Sequence, residues 1–239
     1  MDRMNRKIIL ASASPRRKEI MEKLGVAFKI IVSGCEEITD ETEPGKVVVQ
    51  LATVKAKDVA ENHADICDIV IGADTVVAHK GCIMGKPKDA EEAFDMIKSY
   101  AGDVHKVYTG VCVAVPYKDD ADKAKIIESA KKYEKAAGSF YGVENLNIAE
   151  YTPGITDKSQ NNIKSGMITI SYSVYTDVHV VPMDDEEIKR YATSGEPLDK
   201  AGAYAIQGGF APYISSINGD YYNVVGLPAC SLYALLKNL

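Results

Sequence analysis

The chain has 239 residues, 46% of them hydrophobic and 26% charged, which is enough apolar material for a buried core and points to a single domain over residues 1–239. A formal net charge of −6 supplies no overall attraction to a nucleic-acid backbone or an anionic membrane, so an anionic ligand has to be held by local groups. The five cysteines (Cys35, Cys67, Cys82, Cys112 and Cys230) form no C-x-x-C pair, which fits reduced, buried thiols of a cytoplasmic protein better than zinc or disulfide chemistry.

The start, Met1–Lys7, is basic, but the apolar run Ile8–Ala13 gives way at once to Pro15-Arg16-Arg17, too short for a secretion signal, and no stretch is long enough to span a bilayer. Lys7–Ala11 reads as a buried strand that stops at Ser12-Ala13-Ser14-Pro15, with Ser14 as N-cap and Pro15 as the first helical residue. Ile20, Met21 and Leu24 recur at helical spacing up to Gly25, and the β-branched stretch Val26–Val32 reads as a strand. A second amphipathic helix, carrying Lys55 and Lys57, is predicted from Pro44 to about His63, followed by a short strand at Asp68–Ala73. Lys80-Gly81 is a hairpin turn within Val76–Met84, and Lys88–Tyr100 reads as a helix with Ala93, Met96 and Ile97 inward.

Val104–Val115 alternates with a period of two and Ile168–Val181 has the same character, so the two are expected to pair. Between them, over about 116–167, a charged segment places Ile126, Ile127, Ala130 and Tyr133 at helical intervals before a looser stretch around Pro153-Gly154; it reads as an inserted helix and loop. Asp184 with Glu187 makes a capping-box-like helix start, Asn218-Gly219 a turn between apolar runs, and Pro228–Leu239 a final helix. Alternating elements of this kind indicate an α/β fold.

Four places carry chemistry. At Ser12-Ala13-Ser14-Pro15-Arg16-Arg17, free amides at a helix start, two hydroxyls and two guanidinium groups suit a phosphate, although Ser14 as a plain cap beside solvated arginines is an equally ordinary arrangement. Asp74 follows a buried strand and suits metal binding or proton transfer, or a simple capping role. Lys86, between Gly85 and Pro87, either aims an ammonium at a phosphate or is a turn lysine; the segment is no phosphate loop, because Pro87 stands where Ser or Thr is required. Glu36-Glu37 offers a second carboxylate for Mg²⁺ or Mn²⁺, or a solvated acidic pair. The tyrosines of Tyr204–Tyr222 read as strand and core residues, and His63, His79, His105 and His179 lack zinc spacing and read as structural.

Taken in order, Leu10-Ala-Ser-Ala-Ser-Pro-Arg-Arg-Lys-Glu19, Ile71-Gly-Ala-Asp-Thr75, Gly85-Lys-Pro87, Asp199-Lys-Ala-Gly-Ala-Tyr204, Ile206-Gln-Gly208 and Val225-Gly-Leu-Pro228 closely resemble the Maf nucleotide pyrophosphatases. The resemblance covers nearly the whole chain except about 116–167, where family members have a short hairpin connection. It implies a two-lobed, mixed-sheet α/β fold similar to inosine triphosphate pyrophosphatases, with the active cleft between lobes, a divalent metal cofactor (Mg or Mn), a nucleoside triphosphate substrate and a homodimer. Matched residue by residue, Ser12, Ser14, Arg17, Lys55 and Lys86 are implied to grip phosphates, and Glu37 and Asp74 to hold metal and activate water, with Asp74 as general base.

Arg16, Thr75 and Gln207 stand where 7-methyl-GTP-directed members have Trp, Gln and Glu, so the chain resembles the dTTP/UTP subgroup. A carboxamide such as Gln207 offers both a donor and an acceptor, as the edge of uracil or thymine requires. CTP or a modified pyrimidine triphosphate is within the same expectation. The alternatives are a pyrophosphatase for another base, of the inosine or 7-methyl-GTP type, and a non-catalytic nucleotide-sensing regulator of cell division. For 116–167 a mobile lid, an oligomer contact and a neutral surface elaboration are all open, the last favoured because exposed insertions are well tolerated.

Overall fold

One mixed sheet of eight strands organises the computed structural model, which describes residues 6–63, 66–152 and 166–239. Strand β1 (Ile8–Leu10) pairs in parallel with β2 (Phe28–Ile30) on one side and with the first part of β3 (Ile69–His79) on the other. The remaining pairings are antiparallel. β4 (Cys82–Met84) folds back on the end of β3, and β3 pairs along its length with β5 (Val104–Tyr117). β5 pairs with β7 (Gly166–Val180), whose free side takes β6 (Val143–Tyr151) at one end and β8 (Ile214–Asn218) at the other.

The long strands β3, β5 and β7 run through two lobes, each with its own core. In the first, α1 (Pro15–Lys23), α4 (Asp120–Tyr141), α6 (Tyr221–Val225) and α7 (Ala229–Asn238) pack Ile20, Met21, Tyr133, Leu232 and Leu235 on Val111, Val113 and Ile170. The opposite face is covered by α2 (Pro44–His63), which buries Ala52, Ala56 and Val59 against Val70 and Cys112. In the second lobe α3 (Ala90–Tyr100) and α5 (Asp185–Ala192) pack Ile97, Tyr100 and Ile188 on Val77, Val107 and Val178. The two-lobed mixed α/β expectation is borne out.

Two glycines set how closely α2 approaches the sheet. A Cβ on Gly72 of β3 would fall inside contact distance of the Ala52 carbonyl, and one on Gly110 of β5 inside that of the Val48 carbonyl. Absence of side chains there lets helix backbone lie almost directly on strand backbone, a use of glycine that depends on space and not on backbone torsion.

Ser14 caps α1 with Pro15 at its first position, α2 runs over Pro44–His63, and Asp184 with Glu187 forms a full capping box. β5 and β7 pair as expected from their alternation. Three readings in this part need correction. The strand at Asp68–Ala73 and the hairpin from Val76 are one continuous strand, so Asp74 lies in mid-strand and not at its end. After α4 the chain forms β6, where only a loop was expected; its burial is irregular because it is an edge strand, so the period-two signal is weak. Asn218-Gly219 forms the expected turn, which joins β8 to α6. Of the five free cysteines only Cys67 and Cys112 are buried, and burial pushes the Cys112 thiol up to about 12, leaving it inert at neutral pH.

The segment over 116–167 is not a neutral surface elaboration, because α4 places Ile126, Ala130, Tyr133 and Ala137 in the main core. Its roots are the directly paired residues Pro116 and Met167. Pro153-Gly154, read as part of a loop, lies outside the described residues.

Candidate active site

Pairing of β1 with β3 ends at Leu10 opposite Ile71, and pairing of β4 begins at Val77 opposite Met84. Between those points, residues 72–76 of β3 have no strand partner on that edge among the described residues, and a cleft of about 600 Å³ opens there. It lies between the lobes, because Ser12, Arg17 and Lys55 come from the first and Met84, Lys86 and Tyr204 from the second. All ten residues singled out from the sequence line this one space: Ser12, Ser14, Arg16, Arg17, Glu37, Lys55, Asp74, Thr75, Lys86 and Gln207.

The turn from β1 into α1 builds an anion corner. Ser14 Oγ accepts the Arg17 backbone N–H at 3.5 Å, while Ser12 Oγ accepts from the Ser14 amide at 3.3 Å and from Arg17 Nη1 at 3.1 Å. Arg17 also donates through Nε to the Gly226 carbonyl at 2.8 Å and through Nη2 to Thr75 Oγ1 at 3.1 Å. Burial lowers the Arg17 pKa and Asp74 acts against that, but an arginine so placed keeps its charge at neutral pH. Three of its five N–H donors are engaged, leaving two for a ligand.

Across the cleft, Lys55 Nζ donates to Asp74 Oδ1 at 2.7 Å and lies 2.9 Å from Glu37 Oε1. The Lys55 and Asp74 side chains are each 12% exposed and that of Glu37 is 57% exposed, so the buried pair is extended toward solvent by an exposed acid. The close seating of α2 on Gly72 and Gly110 is what brings Lys55 within reach of Asp74. A buried carboxylate without that ammonium would carry a heavy desolvation cost.

A family model described as Maf-like protein matches residues 7–158 and 155–239. The chain belongs to the Maf family. Curated Maf relatives include a "dTTP/UTP pyrophosphatase" of Alkaliphilus metalliredigens, 41% identical with 96% of this chain and 94% of the relative covered. One of Agathobacter rectalis is 40% identical with 97% of each covered, and one of Lachnoclostridium phytofermentans is 37% identical with 96% of this chain and 93% of the relative covered.

The second lobe of this Maf protein contributes groups that the sequence reading passed over. Lys200, with its side chain 16% exposed, lines the cleft and is held by Asp199, whose carboxyl it lowers. Both lie in the Asp199–Tyr204 motif, so the signal was present. Tyr204 also lines the cleft, and its hydroxyl is 2.7 Å from Nε2 of the buried His105. No spacing rule marks such a histidine; only the folded strand brings it behind the tyrosine.

Burial, reinforced by His79, depresses His105 to about 3, so it stays neutral in the fold and would charge on unfolding once the pH is below about 6.5. The unfolded chain then binds the extra proton, so stability is full above that pH and falls as pH drops toward 3, by up to ~1.4 kcal/mol per pH unit. Thermal melts between pH 7 and 4 are expected to show a steeper acid loss for the native chain than for His105→Gln. Parallel curves would show that His105 is not a source of the acid sensitivity.

Proposed function

We propose that the chain hydrolyses dTTP and UTP to the monophosphate and pyrophosphate, with a divalent metal, as a cytoplasmic enzyme and homodimer of single-domain subunits. The observation that carries this reading is the convergence of an arginine-serine corner, a lysine-bridged acid pair and two further lysines on one cleft. The names of the curated relatives agree with it. No helix among the described residues is long and apolar enough to cross a membrane, and the formal net charge of −6 gives nucleic acid no overall electrostatic attraction.

The donor set suits Mg²⁺ or Mn²⁺. Asp74 and Glu37 converge on a single point of positive charge, and Asp74 Oδ2 has no hydrogen bond among the described residues. No group of three or more His, Cys, Asp or Glu fit for a metal occurs among the described residues, so two carboxylates and the substrate's phosphate oxygens are the appropriate ligands for a cation that retains several waters. When bound, such an ion would screen the triphosphate and acidify water.

In the reaction, water attacks the α-phosphorus, the bond from that phosphorus to the bridging oxygen breaks, and pyrophosphate departs. Asp74 takes the proton at Oδ2, its other oxygen being held by Lys55. Arg17 grips the polyphosphate through its two remaining donors, with Ser12 and Ser14 beside it, while Lys86 and Lys200 approach from the other lobe. Arg16 and Gln207 set base preference, Gln207 through its exposed carboxamide.

Product analysis across common and modified triphosphates with Mg²⁺ tests this. Equimolar monophosphate and pyrophosphate from dTTP and UTP, abolished by EDTA and restored by Mg²⁺, is the expected outcome. Release of orthophosphate, preference for inosine or 7-methyl-GTP, or binding without turnover would each replace the reading.

A further inference from the structure

Behind Arg17 a chain of polar groups runs from Thr75, which lines the cleft, back to the buried Thr109 and Asn223. Thr109 Oγ1 donates to the Asn223 carbonyl at 2.9 Å, and Thr75 Oγ1 lies 3.0 Å from Thr109 Oγ1. A hydroxyl has one hydrogen, and that of Thr109 is engaged by Asn223, so Thr75 must donate to Thr109. That orientation presents a lone pair of Thr75 Oγ1 to Arg17 Nη2.

The far end of the chain is anchored equally firmly. Asn223 and Thr109 are fully buried, and Asn223 Nδ2 donates to the Val107 carbonyl at 2.9 Å and to Thr176 Oγ1 at 3.0 Å. Thr176 in turn donates to the Asp220 carbonyl at the start of α6. The far end of α6 presents the Gly226 carbonyl to Arg17 Nε, and the Gly226 amide is held by the Asn223 carbonyl at 3.0 Å. Two of the three acceptors on Arg17 therefore depend on one buried network.

We propose that Thr75, Thr109 and Asn223 are positioning residues that fix the guanidinium of Arg17, and that Thr75 acts on the substrate through Arg17 and not by touching the base. The inference rests on the reading that Arg17 grips phosphate, and it refines the role of Thr75. Removing a hydroxyl from the chain frees Thr75 to rotate and Arg17 to swing, a displacement that lowers rate for every triphosphate alike.

The test is a double-mutant cycle on kcat/KM with dTTP, UTP and CTP. Thr109→Val, which keeps shape and removes the hydroxyl, is expected to lose between about 10- and 100-fold with all three nucleotides, their ratios holding within about 2-fold. Thr109→Ser is expected to restore most of the loss. In an Arg17→Ala background the same Thr109→Val change is expected to have almost no further effect. Independent losses that multiply, or a changed nucleotide preference, would overturn the relay. Should Thr109→Val fail to fold, as a melting curve would show, Thr75→Val completes the same cycle with the same expectations. A native chain that releases no pyrophosphate refutes the proposed function instead, so the two failures are distinct.

Discussion

Asp74→Asn is expected to lower turnover at least ~100-fold, and to lower the melting temperature moderately, because the buried Lys55 ammonium keeps only the exposed Glu37 as counter-charge. The argument is atomic. The amide oxygen of asparagine still accepts from Lys55, at the position where Asp74 Oδ1 now lies 2.7 Å from Nζ. The NH₂ group then takes the place of Oδ2, where it has two hydrogens and no lone pair for a proton. Asp74 is backed by a fully buried Ala73 and by paired strand β5, so the backbone has no reason to move. Steady-state assays with dTTP decide the matter, and near-native turnover would remove Asp74 from the role of base.

The second large effect is mechanical. Gly110→Ala introduces a methyl group into the Val48 carbonyl of α2, where the obstacle is helix backbone and not a side chain that can turn aside. Overpacking of that kind costs about 1–3 kcal/mol or more, and for a chain of this size each kcal/mol lowers the melting temperature by roughly 2–4 °C. The helix relieves the strain by retreating, which draws Lys55 off Asp74, and a displacement near 1 Å can cost up to about 100-fold in rate. Gly138→Ala is the control: it lies in α4 with only a 3.8 Å contact to the Val143 carbonyl, so the substitution is expected to stabilise by about 0.5–1 kcal/mol without touching activity. Calorimetry and assays on both variants check this, and a Gly110→Ala enzyme with native stability would contradict the account of how α2 is seated.

Much of this was legible in the sequence, for identifiable reasons. Local signals were strong where one residue type answers one backbone need, as in Ser14-Pro15 at the start of α1 and Asp184 with Glu187 at the start of α5. Some candidate site residues were legible as charged or hydroxyl groups at predicted turns, as at Ser12–Arg17 and Lys86, while Lys55, Thr75 and Gln207 were legible only through the family resemblance; the cleft brings all ten together. Other features depend on contacts distant in the chain. The continuity of β3 through Asp74 is set by nine paired positions on β5, which override the local break suggested between Ala73 and Val76. The network through Thr109, Thr176 and Asn223 joins residues from two strands and a short helix, and each looks unremarkable where it stands. The edge strand β6 carries a weak alternation because only β7 supports it.

Because β3, β5 and β7 are each a single ribbon common to both halves of the molecule, the halves are joined by three paired strands in the described residues. Opening the active space by jaw-like bending would tear ladder bonds in three adjacent strands at once, so capture and release of a nucleotide fall to side chains and short loops at the rim. The same continuity ties the fate of the halves together on heating, since neither can melt and leave the other with an intact sheet.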